Sequence, residues 1–330
     1  MWGLELATFD REALARDEAA VPLIRSYLFM RLAIGLVGVV LPILLVVIDE
    51  FLLSDHPIRG SMSAYYHSSA RDVFVGGLVS TGLFLLTYMS AKPRTYDFVL
   101  SAVCGVLVIV VALFPTGRAA GDFPTGDHFV ASSTSCAALP GPPSCSGIES
   151  KLGESVVQTV HRGSAGAFVV LLAVLCWVWA VREAAFGPQR GDTSHGAVQP
   201  PRSLREATLH PFRTLRYLWN GTVAQPDGHA IAYGPPRRRA LMYLAMAGVI
   251  LLSALWSIVG VDIPIPGFRI GPTYAAEFGA FEAFGAAWIA AAWDLMPGAI
   301  AAAGTGVSRA VDRVSRSGGS GTPTPGPATP

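Results

Sequence analysis

Charged residues are scarce in this chain. Asp, Glu, Lys and Arg make up 14% of its 330 residues, against about 25% in an average soluble domain. The net charge of +1 at pH 7 leaves no basic surface of the kind that binds nucleic acid, so we expect no nucleic-acid partner. Together with 52% hydrophobic residues, the shortage of charge indicates an integral membrane protein whose nearest partners are membrane lipids.

The residues at the start of the given sequence predict no cleavable signal peptide. Residues 1–25 contain a series of charged side chains and no apolar stretch long enough for the core of a signal peptide. We therefore expect the first membrane span to act as its own uncleaved insertion signal.

The chain does contain long apolar runs, each close to the roughly 20 residues that a helix needs to cross a bilayer. These runs lie at 32–53, 73–90, 98–114, 164–181, 241–259 and 275–296. They are continuously apolar, which favours helices over the alternating strands of a membrane barrel. The predicted fold is an all-α, polytopic bundle of six transmembrane helices in the plasma membrane.

The distribution of Lys and Arg predicts the orientation of these spans. With a cytoplasmic N-terminus, 18 of the 24 basic residues fall in cytoplasmic segments, as the positive-inside rule requires. Both termini are then cytoplasmic. We expect a cytoplasmic segment at 1–31, a membrane domain at 32–297 with a flexible cytoplasmic loop at 182–239, and a tail at 298–330 that is disordered after about 315.

Two of the four cysteines fall in the outer loop that this topology creates. Cys136 and Cys145 are separated by a stretch rich in proline and glycine, which would allow the two sulfurs to meet. Disulfides form in oxidising compartments, so we expect Cys136 and Cys145 to be bridged.

Polar and ionisable side chains collect at the outer face of the predicted bundle. The run at 61–72 leads into the second span, and Glu282 lies deeper in the sixth. Ionisable groups at membrane depth are costly and often mark functional sites. The predicted polar cluster consists of Tyr65, Tyr66, Arg71, Arg162 and Glu277.

A metal site is one hypothesis for this cluster. Two histidines and a carboxylate around zinc would leave an open position for an activated water. The candidate ligands are His67, His161, Asp72 and Glu282, with Ser63 close by. The candidate catalytic residues are Ser63, His67, Asp72 and Glu282. Alternatively, His67 binds a main-chain carbonyl and Glu282 pairs with an arginine.

Several of these segments resemble a family of bacterial six-span membrane proteins without an assigned activity. The resemblance lies in SMSAYYH at 61–67, RDVFVG at 71–76, LFPT at 113–116, His161 ahead of Ser164, and EAFGAAW at 282–288. It covers the spans and short loops, and it implies a six-helix membrane architecture.

The chain is also similar, at fewer positions, to the transmembrane hydrolase superfamily of alkaline ceramidases and adiponectin receptors. Ser63 and His67 match the Ser-x-x-x-His element of that superfamily. The last span carries Glu277 and Glu282 where the superfamily has a pair of zinc-binding histidines.

Three functions remain open from the sequence. The outer polar site could bind a lipid headgroup or a protein partner, with no enzymatic activity. It could instead belong to an intramembrane, metal-dependent lipid or amide hydrolase. A small-solute or proton-coupled transporter that uses Glu282 is the third hypothesis.

Overall fold

The computed structural model describes most of the apolar part of the chain. The described residues are 20–53, 58–88, 95–116, 147–186, 206, 209–212, 214–215, 222–224, 230–232, 235–260, 263–265 and 268–293. They are almost entirely helical, which confirms the all-α class. The helices are α1 (Ala20–Val46), α2 (Arg71–Thr87), α3 (Tyr96–Leu113), α4 (Gly147–Leu152), α5 (Glu154–Phe186), α6 (Pro235–Val259) and α7 (Pro272–Trp293).

Shorter elements connect these helices. A π-helical turn, Val47–Leu53, continues α1, and a 3-10 helix, Ser63–His67, precedes α2. Two antiparallel pairs of three-residue strands follow, β1 (Thr222–Ala224) with β2 (Ala230–Ala232) and β3 (Ile263–Ile265) with β4 (Phe268–Ile270). Helix α5 continues to Phe186 and α6 begins at Pro235, so both ends of the predicted loop at 182–239 are helical.

Four helices within the described ranges are long and apolar enough to cross a membrane. These segments are Ser26–Leu52, Tyr96–Leu113, Ser155–Glu183 and Arg238–Val259, and they match four of the six predicted spans. The helices at the other two positions fall short for different reasons. Helix α2 has 17 residues, and α7 contains Glu277 and Glu282, which lower its hydropathy. Six spans and their orientation therefore stay a prediction.

The six long helices pack in a ring that follows the chain. Helix α1 contacts α2, α2 contacts α3, α3 contacts α5, α5 contacts α6, α6 contacts α7, and α7 returns to α1. Aromatic side chains fill the interior. The Trp288 ring lies 4.7 Å from that of Tyr88 and 5.0 Å from that of Trp179, centroid to centroid, within the range of favourable edge-to-face contact.

Glycines allow two helix pairs in this ring to approach closely. A Cβ atom on Gly285 of α7 would lie 2.7 Å from the carbonyl oxygen of Gly35 in α1. A Cβ atom on Gly105 of α3 would lie 2.7 Å from the carbonyl oxygen of Gly82 in α2. Small residues are the usual means by which helices pack tightly in membranes.

The helices alternate in direction, so the ring has two ends. The Glu277 end contains the C-terminal ends of α1, α3 and α6 and the starts of α2, α5 and α7. The Asp97 end contains the opposite termini. The predicted topology places the Glu277 end outside and the Asp97 end in the cytoplasm.

Candidate functional site

Buried polar contacts tie the α1–α2 loop, residues 58–70, to the Glu277 end. The Nε of Arg59 donates a hydrogen bond to the Oδ2 of Asp49 over 2.8 Å, and both side chains are almost fully buried. A buried charge is tolerated when an opposite charge and hydrogen bonds offset its desolvation. The amide of Tyr274 also donates to the carbonyl of Gly60 over 3.1 Å. The loop is therefore part of the packed bundle.

Glu277, near the start of α7, binds this loop through hydrogen bonds. Its Oε2 accepts a hydrogen bond from the amide of Met62 over 2.5 Å, and the amide and hydroxyl of Ser63 also bond to its carboxylate. These amides begin the 3-10 helix, where the first N–H groups have no partner inside the helix. Glu277 thus caps that helix from a neighbouring element, which gives this member of the predicted cluster a structural role.

Ser63 does not share a helix face with His67 and Arg71. It lies in the 3-10 helix, which ends at His67, and Ser68 is extended with a ψ of 177°. A 3-10 helix has about three residues per turn, so the spacing of four that suits an α-helix does not align these side chains. The hydroxyl of Ser63 is buried and lies 3.2 Å from that of Ser61.

The two predicted histidines lie at the C-terminal end of α3, where each contacts a main-chain carbonyl. The Nδ1 of His161 lies 2.6 Å from the oxygen of Phe114, and the Nε2 of His67 lies 2.8 Å from the oxygen of Thr116. The last carbonyls of a helix and the residues that follow lack partners within it. Both rings are buried, and their N–H groups donate to carbonyl acceptors there.

The predicted metal site is not assembled. Its four candidate ligands, His67, His161, Asp72 and Glu282, all lie in the described ranges. Within those ranges no three His, Cys, Asp or Glu side chains come close enough to hold one ion. The reason is that each histidine faces a carbonyl, Asp72 is exposed in the first turn of α2, and Glu282 is carried by α7. This corrects the prediction of two histidines and a carboxylate around zinc, and it leaves the hydrolase hypothesis without a ligand set.

Three further residues of the predicted set, Tyr65, Arg162 and Glu282, have different surroundings. Tyr65 is buried against Tyr274, and burial raises the pKa of its hydroxyl above the ordinary value. Arg162 is exposed on α5. The Oε1 of Glu282 is buried and has no hydrogen-bond partner among the described residues. Cys136 and Cys145 lie outside the described residues, so their disulfide stays a prediction.

Tyr66 and Arg71 begin an open groove at the Glu277 end. The Nη2 of Arg71 donates to the hydroxyl of Tyr66 over 2.6 Å. The guanidinium carbon also lies 4.2 Å from the centroid of the Tyr66 ring, close enough for a cation–π interaction. This double contact holds the planar guanidinium against the tyrosine, and Arg71 keeps further N–H donors for a ligand.

The groove lies between the start of α2, the end of α3 and the short helix α4, and its volume is about 690 Å³. That volume falls within the range of about 300–1,000 Å³ typical of small-molecule sites. Its lining combines charge with apolar surface. The charged residues are Arg71, Asp72 and Lys151, and the apolar residues include Val75, Leu113, Ile148 and Leu152.

Among the described residues, the charged side chains of this groove make few contacts with other side chains. Neither Asp72 nor Lys151 forms an ion pair or a side-chain hydrogen bond with another described residue, and the only such contact of Arg71 is with Tyr66. The sequence pattern identified Arg71 and Asp72 but missed Lys151, because α4 lies between two predicted spans and has no apolar periodicity. Within the described ranges, the groove is thus a mixed polar and apolar site whose cationic groups have no acidic partner.

A second buried network at the Asp97 end was also missed by the sequence analysis. The Oδ1 of Asp97 accepts hydrogen bonds from the indole of Trp179 and from the Nη1 of Arg182, each over 2.8 Å. At the same end of the bundle, Arg31 is 3% exposed and donates to the hydroxyl of Tyr88 and to the carbonyl of Ala291. These contacts join α1, α3, α5 and α7 and fix the packing at this end.

No family model, curated protein or solved structure matches the chain. The functional inference that follows is accordingly built on the groove and its surroundings.

Proposed function

We propose that this chain is a six-span protein of the plasma membrane, with both termini in the cytoplasm, whose outer groove binds a phospholipid headgroup. The observation that carries this proposal is the lining of the groove, in which Arg71 and Lys151 stand beside apolar side chains of α2, α3 and α4.

The ring of helices supports six spans. Helix α2 packs between α1 and α3, and α7 packs between α6 and α1. Since α1, α3 and α6 each contain a segment able to cross a membrane, this packing supports α2 and α7 as the two remaining spans. In this ring α7 has α6 on one side and α1 on the other, and ionisable groups are tolerated on a helix that packs inside a bundle.

The outward faces of the helices support the same setting. Large apolar side chains are exposed on several helices, among them Leu36 on α1, Val106 on α3, Val170 on α5 and Leu252 on α6. Soluble proteins rarely expose contiguous apolar surface on this scale, whereas a bilayer covers it. The orientation is supported by the sequence, since 18 of the 24 basic residues lie on the cytoplasmic side when the Asp97 end faces the cytoplasm.

A phospholipid matches the groove in charge and in polarity. A phosphate group accepts hydrogen bonds from guanidinium and ammonium groups, and both are present in Arg71 and Lys151. The apolar residues beside them, such as Leu113 and Leu152, can contact the upper part of an acyl chain. A fully water-soluble anion would leave this apolar surface unused.

Equilibrium binding to the purified chain in non-ionic detergent tests the proposal. We expect short-chain phospholipids to bind. Arg71→Gln and Lys151→Gln should each lower the affinity for the phospholipid that binds most tightly about fivefold, because a basic residue near a membrane surface contributes about 1 kcal/mol. Arg162→Gln is the matched control, because Arg162 is exposed on α5 and does not line the groove.

Two results would contradict the proposal. In the first, Arg162→Gln weakens binding as much as the two groove variants do, so that the effect reflects overall charge. In the second, the deacylated headgroup glycerophosphate binds as tightly as the lipid, so that the ligand is a soluble phosphate.

A further inference from the structure

The groove contains a negative charge that a phosphate group does not use. Asp72 follows Arg71 in the first turn of α2 and lines the same groove as Lys151. Its side chain is exposed and forms no ion pair with another described residue. An acidic residue in the first turn of a helix is favoured by the helix dipole. That effect acts on the helix alone, and it leaves the carboxylate available to a ligand in the groove that Arg71 and Lys151 also line.

We propose that the groove selects a phosphoethanolamine headgroup, with the phosphate bound by Arg71 and Lys151 and the primary ammonium bound by Asp72. This inference rests on the proposed function and names the class of lipid that the same site takes. The two cations face the anionic part of the ligand, and the carboxylate faces its cationic part.

Other common headgroups complement these three charges less well. The quaternary ammonium of phosphocholine has no N–H group, so it cannot donate a hydrogen bond to Asp72. Phosphoglycerol offers only neutral hydroxyls, and hydrogen bonds between two charged groups are stronger than those with one neutral partner. A phosphoglycerol headgroup also supplies no cation to pair with the carboxylate of Asp72.

The test compares three phospholipids with identical acyl chains and ethanolamine, glycerol or choline headgroups, titrated against the full chain in non-ionic detergent and measured by native mass spectrometry. We expect phosphatidylethanolamine to bind about tenfold more tightly than the other two, the effect of one good charge-assisted hydrogen bond. Equal affinities of the wild-type chain for the three lipids would overturn the inference without any variant.

Two variants of Asp72 separate selection of the headgroup from a role in helix stability. Asp72→Asn should remove the preference for ethanolamine, and Asp72→Glu should keep most of it. If Asp72 acts only through the helix dipole, Asp72→Asn should have a lower unfolding temperature and should still prefer ethanolamine among the three lipids. A preference for ethanolamine that survives in Asp72→Asn would refute the inference.

This failure is distinct from failure of the proposed function. If Arg71→Gln and Lys151→Gln still weaken lipid binding while the headgroup makes no difference, the groove binds phospholipids without selecting ethanolamine. If those two variants bind all three lipids like the wild type, the groove is not the lipid site.

Discussion

The close contact between α2 and α3 predicts that alanine substitutions at two glycines of α2 differ in their effect on stability. A Cβ atom on Gly82 would lie 2.8 Å from the carbonyl oxygen of Gly105 and would also meet the side chain of Ile109. A Cβ atom on Gly76, also in α2, has no atom within 4 Å. Gly82→Ala must therefore separate the helices, whereas Gly76→Ala meets open space.

The expected difference in unfolding free energy between the two variants follows from two opposing effects. Forcing extra volume into a packed contact costs about 1–3 kcal/mol. Replacing glycine by alanine inside a helix contributes up to about 1 kcal/mol of stability, and that contribution is common to both variants. The difference in unfolding free energy between Gly82→Ala and Gly76→Ala should therefore be about 1–3 kcal/mol, with Gly82→Ala the less stable.

Reversible unfolding in mixed micelles, followed by circular dichroism as the fraction of denaturing detergent rises, measures this difference. Equal unfolding free energies for the two variants would refute the reasoning, because the chemistry of the substitution is identical and only the neighbours differ. A loss of stability in Gly76→Ala alone would show that the packing of α2 is reversed.

Two further predictions concern the Asp97 end and the outer loop. Arg182→Gln should destabilise the chain by about 3 kcal/mol, because it leaves the carboxylate of Asp97 buried without its charged partner; an unchanged unfolding free energy in mixed micelles would contradict this. With Cys136 and Cys145 bridged in an oxidising compartment, thiol labelling of the unfolded chain should modify two cysteines before reduction and four after it. Four reactive thiols before reduction would contradict the disulfide.

The sequence predicted the helices well where hydropathy alone determines them. The apolar run at 98–114 corresponds to α3 within a few residues, and the all-α class follows from such runs. The prediction was less accurate where a helix extends beyond its apolar part. Helix α5 begins at Glu154, ten residues before the predicted run at 164, because a polar first turn such as that around Ser155 does not raise hydropathy.

The site was harder to predict because its contacts join distant parts of the chain. Spacing identified His67 and His161 as possible ligands, but it could not show that their nitrogens face the carbonyls of Thr116 and Phe114. Phe114 and Thr116 come just after the last residue of α3. Only the packing of the helices brings their carbonyls to the histidines. The same holds for Lys151, whose position in the groove depends on where α4 lies against α2 and α3.

Photo-cross-linking tests the central proposal most directly. The full chain is reconstituted in bilayer nanodiscs with a phosphatidylethanolamine that carries a diazirine at the upper end of one acyl chain, and the labelled residues are found by mass spectrometry. The account predicts labels concentrated at Leu113, Ile148 and Leu152, and their loss in the Arg71→Gln, Lys151→Gln double variant. Labels spread over exposed residues such as Leu252, unchanged in that double variant, would contradict it.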